Sequence, residues 1–135
     1  MAIGRNYVRG PLIFMAWPVA AASAAIEVGD MIMLASGYAK QAAAGEAIVG
    51  VAFEKVASPS SNGDITVKVN VSREAVYRYP IDTGTVAQSN MTAGGNADAG
   101  TYSSGSTVDV TSPSNNDLRI VEVDTTNNEF LITLV

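Results

Sequence analysis

From Asp64 to Val71 every second residue is apolar: Ile65, Val67, Val69 and Val71 alternate with Asp64, Thr66, Lys68 and Asn70. A period of two marks a strand with one face buried and the other wet. The β-branched run Ile48–Phe53 precedes it, and Ser61-Asn62-Gly63-Asp64 lies between the two. Asn-Gly readily supplies the positive φ of a tight turn, so residues 48–71 read as a hairpin with a loop over 58–62. The chain's end repeats the plan, with strands at Leu118–Val123 and Phe130–Val135 joined through Asp124–Asn128. Met31–Ala35 turns at Ser36-Gly37 into Tyr38–Gln41, and Glu74–Tyr79 is a strand that Pro80 terminates. Leu12–Trp17 is an apolar strand or arm, bracketed by Pro11 and Pro18.

Helical spacing is weak throughout. Ala39–Ile48 is Ala-rich enough for a short turn of helix, weakened by Gly45. Residues 88–117 are dominated by Gly, Ser, Asn, Thr and Ala, a long stretch for a structureless loop, so short strands are expected near Thr101–Tyr102 and Thr107–Val110. The pattern predicts an all-β chain, a small β-barrel or sandwich of about eight short strands. An extended N-terminal arm or strand covers residues 1–18, and a single β domain covers 19–135.

Composition narrows the function. The 135 residues are 47% hydrophobic, but much of this is Ala and Val, so the core is expected to be thin and to be completed by partner subunits. Residues 1–80 hold seven basic and six acidic side chains, whereas 81–135 set Arg119 alone against seven acids, so the net charge of −5 sits in the second half. An acidic chain without clustered Lys and Arg is a poor grip for a phosphate backbone, and no nucleic-acid partner is expected. Arg5 and Arg9 ahead of Pro11–Trp17, followed by Ala22-Ser23-Ala24, imitate a secretory signal, but the segment is expected to stay in the folded chain. The uncharged run from Gly10 to Ile26 is short for a membrane span and is interrupted by Pro18, so no membrane partner is expected.

Chemistry is sparse. The absence of Cys and His removes thiol chemistry, the commonest general base and the commonest zinc ligands. Asp98 and Asp109 could join carbonyls around Ca²⁺, but no calcium-loop spacing surrounds them, and they read as solvated loop acids. Gly94-Gly95-Asn96 lacks the Lys and helix of a phosphate cradle, and Ser103, Ser104 and Ser112 have no base to activate them. No enzyme, metal or cofactor is expected. Tyr77 and Tyr79 flank Arg78 as on a stacking platform, but without a basic patch they read as a half-buried strand face. Arg73, Arg78, Lys55 and Lys68 read as the polar face of the central hairpin. Trp17, the sole Trp, is either core or an interface anchor beside Phe14 and Met15.

The middle of the chain carries a resemblance. Val28-Gly29-Asp30-Met31-Ile32-Met33-Leu34, then Ala44-Gly45-Glu46-Ala47-Ile48-Val49-Gly50-Val51-Ala52, then Gly63-Asp64-Ile65-Thr66-Val67-Lys68-Val69, resembles the phage capsid cement (head decoration) proteins. In that family an apolar lead-in strand, a Gly-Asp turn into a strand, an "IxGVA" strand and a "G-x-x-x-V-x-V" strand follow in this order. Asn6-Tyr7-Val8 is similar to the family's start, and the likeness spans roughly residues 6–80, its motifs structural. The resemblance implies a small β protein, often trimeric, that binds assembled capsid shells, and it implies no catalytic residues.

The expected function is therefore a structural clamp on the outer surface of a viral head, with the major capsid protein as partner and a homotrimer as assembly. Its interface residues are expected to be Arg5, Tyr7, Arg9, Leu12, Phe14, Met15 and Trp17, with the acidic half turned outward. A secreted carbohydrate- or surface-binding β module is the rival reading.

Overall fold

The computed structural model describes residues 6–21, 24–43, 46–90, 95–100, 105–111 and 117–135. Within them the chain is all-β. In order, the strands are β1 (Tyr7–Arg9), β2 (Phe14–Pro18), β3 (Met31–Ala35), β4 (Tyr38–Gln41), β5 (Gly50–Ala52) and β6 (Thr66–Asn70). Then come β7 (Val76–Pro80), a 3₁₀ turn at Gln88–Asn90, β8 (Asn96–Ala99), β9 (Val108–Asp109), β10 (Leu118–Asp124) and β11 (Glu129–Leu134).

These strands form two antiparallel sheets, ordered β1-β7-β11-β10-β8-β9 and β2-β6-β5-β3-β4. Neither closes into a barrel, so of the two expected architectures the sandwich is the one formed. Single parallel bridges join Ile81, just after β7, to Val108 of β9, and Val19, just after the edge strand β2, to Ala39 of the opposite edge strand β4. Two apolar clusters follow from the layering. The larger joins Met31, Val51, Phe53, Tyr77, Tyr79, Leu118, Phe130 and Ile132, and the smaller, inside the five-stranded sheet, joins Val19, Ile26, Ile32, Val67 and Val69. Small side chains belong to both, Ala75, Ala97 and Ala99 to the larger and Ala39 and Ala52 to the smaller, as a core rich in Ala and Val requires.

Several expectations change. No helical turn is found within 39–48 among the described residues. Residues 38–41 are claimed by the ladder with β3, Glu46 N–H donates to Ala43 O, and Ala44-Gly45 lie outside the described residues. Thr101–Tyr102 also lies outside them, whereas Thr107–Val110 does yield β9. Pro80 closes β7 as its last residue, opposite Glu129, a position where its missing N–H costs little. The four basic residues do not share one polar face. Arg78 lies in the six-stranded sheet, bonded to Asp124 at 2.9 Å, whereas Lys68 lies in the other sheet and Lys55 reaches Glu27. Tyr77 and Tyr79 are buried with Arg78 half-buried between them, the half-buried strand face expected of the trio.

Gly50, at the centre of the Ile48–Ala52 motif, is required by space. A Cβ there would meet Val69 Cγ1 at 2.4 Å and Asn70 O at 2.6 Å, because β5 packs directly on β6. Gly50→Ala is expected to lower stability by about 1–3 kcal/mol, the usual cost of overpacking a tight core. Urea titration would show this as a lower midpoint with an unchanged slope. An unaltered midpoint would mean that β5 can move off β6 freely.

Candidate docking surface

The N-terminal segment runs along the edge of both sheets. Tyr7 faces Tyr77 and Phe14 faces Asn70, so β1–β2 and β6–β7 descend as one bent antiparallel ribbon that crosses from sheet to sheet. A bulge between Tyr7 and Arg9 and the turn at Gly10, whose φ is +106°, take up the change of direction. Gly10 has no room for a side chain, since a Cβ would lie 2.7 Å from Glu74 O.

Asn70 pins the crossing and is fully buried. Its Oδ1 accepts from Ile13 N (2.8 Å) and Ser72 N (3.2 Å), and its Nδ2 donates to Pro11 O (3.4 Å) and Tyr77 OH (2.6 Å). All of the amide's bonding capacity is spent locally. Burial pushes the Tyr77 phenol far above its ordinary pKa, against the opposing effect of the Asn70 hydrogen bond, so it stays neutral. Beside this amide stands an aromatic seam. Phe53 lies 5.8 Å from Tyr7, 5.2 Å from Phe14 and 6.5 Å from Tyr77, ring centre to ring centre.

Beyond the seam, β2 turns outward. Val19 N donates to Ile65 O and Val71 N to Ile13 O, so the odd-numbered residues point their backbone groups at β6. The N–H and C=O of Phe14 and Ala16 therefore point away from it, to the free edge. At Pro18 the same row loses its donor, and from there β4 takes over, with Ala20 N bonded to Ala39 O at 2.9 Å. The edge from Leu12 to Ala16 is left open among the described residues.

This open stretch is apolar. Leu12 is 47% exposed, Ile13 55%, Phe14 41% and Met15 47%, and on β1 Val8 is 37% exposed. Among the described residues, the one other exposed large hydrophobic is Val135. Edge strands are usually blunted by a charge of their own. β2 has none, though the Lys68 ammonium of β6 lies over the Phe14 ring at 5.0 Å from its centre.

Of the expected interface residues, Leu12, Phe14 and Met15 are brought together on this strip. Arg9 is exposed on β1 opposite Val76, at the head of the same ribbon. Tyr7 is half-buried in the aromatic seam, and Trp17 is half-buried against the smaller cluster, its Nε1 buried with no hydrogen-bond partner. Arg5 lies outside the described residues. The segment thus divides at Ala16, with exposed side chains before it and core-directed ones after. Ile13 belongs to the strip and Val8 is exposed on β1 outside it, and neither was among the expected residues. For Ile13 the signal was present in the apolar run itself.

The rest of the described surface offers less. A cavity of about 110 Å³ between the sheets is lined by Asn6, Gly29, Asp30, Tyr79, Pro80 and Ser106. Its polar groups are used within the fold: Asp30 Oδ2 accepts from Glu27 N, Ser106 Oγ from Met31 N, and Tyr79 OH donates to Gly29 O. Asp98 is buried on β8 and faces Asp109 on β9, so the first of these acids is not the solvated loop residue expected. No cluster of three or more metal-ligating side chains occurs among the described residues. The acidic strands β8, β9 and β10 occupy the side of the six-stranded sheet away from β1. Compared with protein-family models, with curated proteins and with solved structures, the chain finds no match.

Proposed function

We propose that the chain is a structural capsid cement protein that docks on the outside of an assembled viral head through its N-terminal strand and clamps neighbouring capsid subunits. The observation that carries this reading is the concentration of exposed large apolar side chains on one uncharged edge segment, Leu12 to Met15, which leads into β2 and whose backbone edge is also open. A patch of this kind supports docking, because isolated soluble domains rarely display contiguous apolar edges. The strand can add to a partner's sheet, backbone groups giving affinity and alternate side chains giving register. The partner is the major capsid protein, and on the shell three copies form a homotrimer, as the resemblance to decoration proteins implies. With β1 and β2 toward the shell, the acidic strands β8–β10 face outward.

The test uses heads of the cognate phage assembled without the protein. The full chain is expected to co-sediment saturably with assembled, expanded heads and to ignore free coat subunits. Ile13→Glu and Met15→Glu each place a carboxylate in the strip without touching the core, and each should weaken head binding at least roughly tenfold, the scale of one desolvated charge. Wild-type affinity in both variants would sink the reading, and saturable binding to glycans with none to heads would replace it with a carbohydrate-binding role.

A further inference from the structure

We propose that, off the shell, two copies of the chain pair through Leu12–Ala16, antiparallel about a twofold axis at Phe14. The inference rests on the docking reading of this strip and adds what covers it before a head is available.

The register follows from the backbone. Phe14 and Ala16 turn their N–H and C=O to the open edge, and Leu12 continues that row. Set antiparallel about Phe14, Leu12 faces the partner's Ala16 and Phe14 faces the partner's Phe14, each facing pair able to exchange both backbone bonds. Other registers fail on particular residues. An axis at Met15 would place Pro18, which has no N–H, opposite Leu12 and drive the second copy into β4 where Ala20 N already holds Ala39 O. An axis at Ile13 would draw in Gly10, whose φ of +106° is not a strand conformation.

The side chains complement themselves in the same register. On one face Leu12 meets the partner's Ala16 and the Phe14 rings meet each other. On the other, Ile13 meets the partner's Met15. Every exposed large apolar residue from Leu12 to Met15 gains an apolar neighbour. The run from Gly10 to Ile26 holds no charged residue, and the Lys68 ammonium over each Phe14 ring is the cation that the pairing must accommodate near its axis. A symmetric contact of this kind is isologous and closes on itself. Its small size makes it weak and concentration-dependent, so a shell that offers many sites can displace it.

Two experiments on the full chain test this. Sedimentation equilibrium from micromolar to near-millimolar concentration should pass from the mass of one chain to that of two. Ala16→Pro removes the outward N–H alone and leaves the bonds to β6 intact, so it should raise the dissociation constant at least roughly tenfold while the circular dichroism spectrum is kept. The chain has no cysteine, so introduced thiols report contacts without background. Ile13 faces the partner's Met15 in a non-hydrogen-bonded pair, a spacing that suits a disulfide. Ile13→Cys and Met15→Cys should therefore stay uncross-linked alone and cross-link when mixed. A monomer at every concentration, a three-chain mass, or equal cross-linking of each variant alone would overturn the proposal. So would a folded Ala16→Pro chain that dimerises as tightly as the wild type. A monomer that still binds heads removes the dimer and keeps the docking role, whereas a dimer that never binds heads does the reverse.

Discussion

Replacing Asn70 with alanine is expected to destabilise the fold by about 3 kcal/mol or more, since each buried partner left without its bond costs about 1–3 kcal/mol. The losses fall on Ile13 N, Ser72 N, Pro11 O and the Tyr77 hydroxyl together, all within the crossing between the two sheets. Asn70→Asp should recover little. It keeps acceptors for the two N–H groups but supplies no donor to Pro11 O, and it places a carboxylate where no water reaches. Urea titration measures the loss, and hydrogen exchange at the Ile13 amide locates it. That amide should exchange far faster than those of β11 in the variant, because the Asn70 side chain is the acceptor that Ile13 N–H loses. A loss below about 1 kcal/mol, with Ile13 still protected, would show that β2 holds its place by its ladder with β6 alone.

Much of the sheet architecture was legible because its strands alternate cleanly. Met31–Ala35, Tyr38–Gln41 and the pair at 118–135 appear where the period of two and the turn residues put them, with Ser36 and Asn128 at φ of +51° and +60° closing the hairpins. β1 and β8 were not legible, for different reasons. Tyr7–Arg9 is too short for a period to register, and a bulge interrupts it. Asn96–Ala99 has the composition of a loop, with little intrinsic strand preference, and becomes a strand because β10 and β9 pair with it on either side. Asn70 was hidden for a similar reason. In the alternation of 64–71 it falls on the same face as Lys68, and its burial comes from the chain crossing above it, which no local pattern records.

The site was half legible in the same sense. The density of apolar residues from Leu12 to Trp17 announces a segment that must be covered by something, and the flanking prolines say that it is extended. Whether the cover is the protein's own core or another molecule depends on sheet order. In the five-stranded sheet β2 is an edge strand, with β6 on one side and open space beside Leu12–Ala16 on the other. Three residues later the same strand is inside, since Val19 is wholly buried beneath β4. A run that reads uniformly along the sequence therefore splits into an outward half and an inward half, and the point of division is where β4 begins.

The aromatic seam couples that outward half to the core, and Phe53→Ala should show the coupling. Phe53 is buried against Tyr7, Phe14 and Tyr77, a ring from each of three strands. Its removal leaves a cavity between the sheets and is expected to cost about 3–5 kcal/mol, the range for truncating a buried phenylalanine. Phe53→Leu keeps most of the volume and should cost less than about 2 kcal/mol. The two variants also separate stability from docking. Phe14 is half-exposed and rests on Phe53 from one side and Lys68 from the other, so without the Phe53 ring it loses the support that fixes its direction. At temperatures where Phe53→Ala remains folded by circular dichroism, its binding to assembled heads should still fall below that of Phe53→Leu. Equal binding by the two folded variants would mean that the strip is set by its backbone register and that the seam serves the fold alone. A thermal midpoint in Phe53→Ala close to the wild type would remove the seam as a source of stability as well.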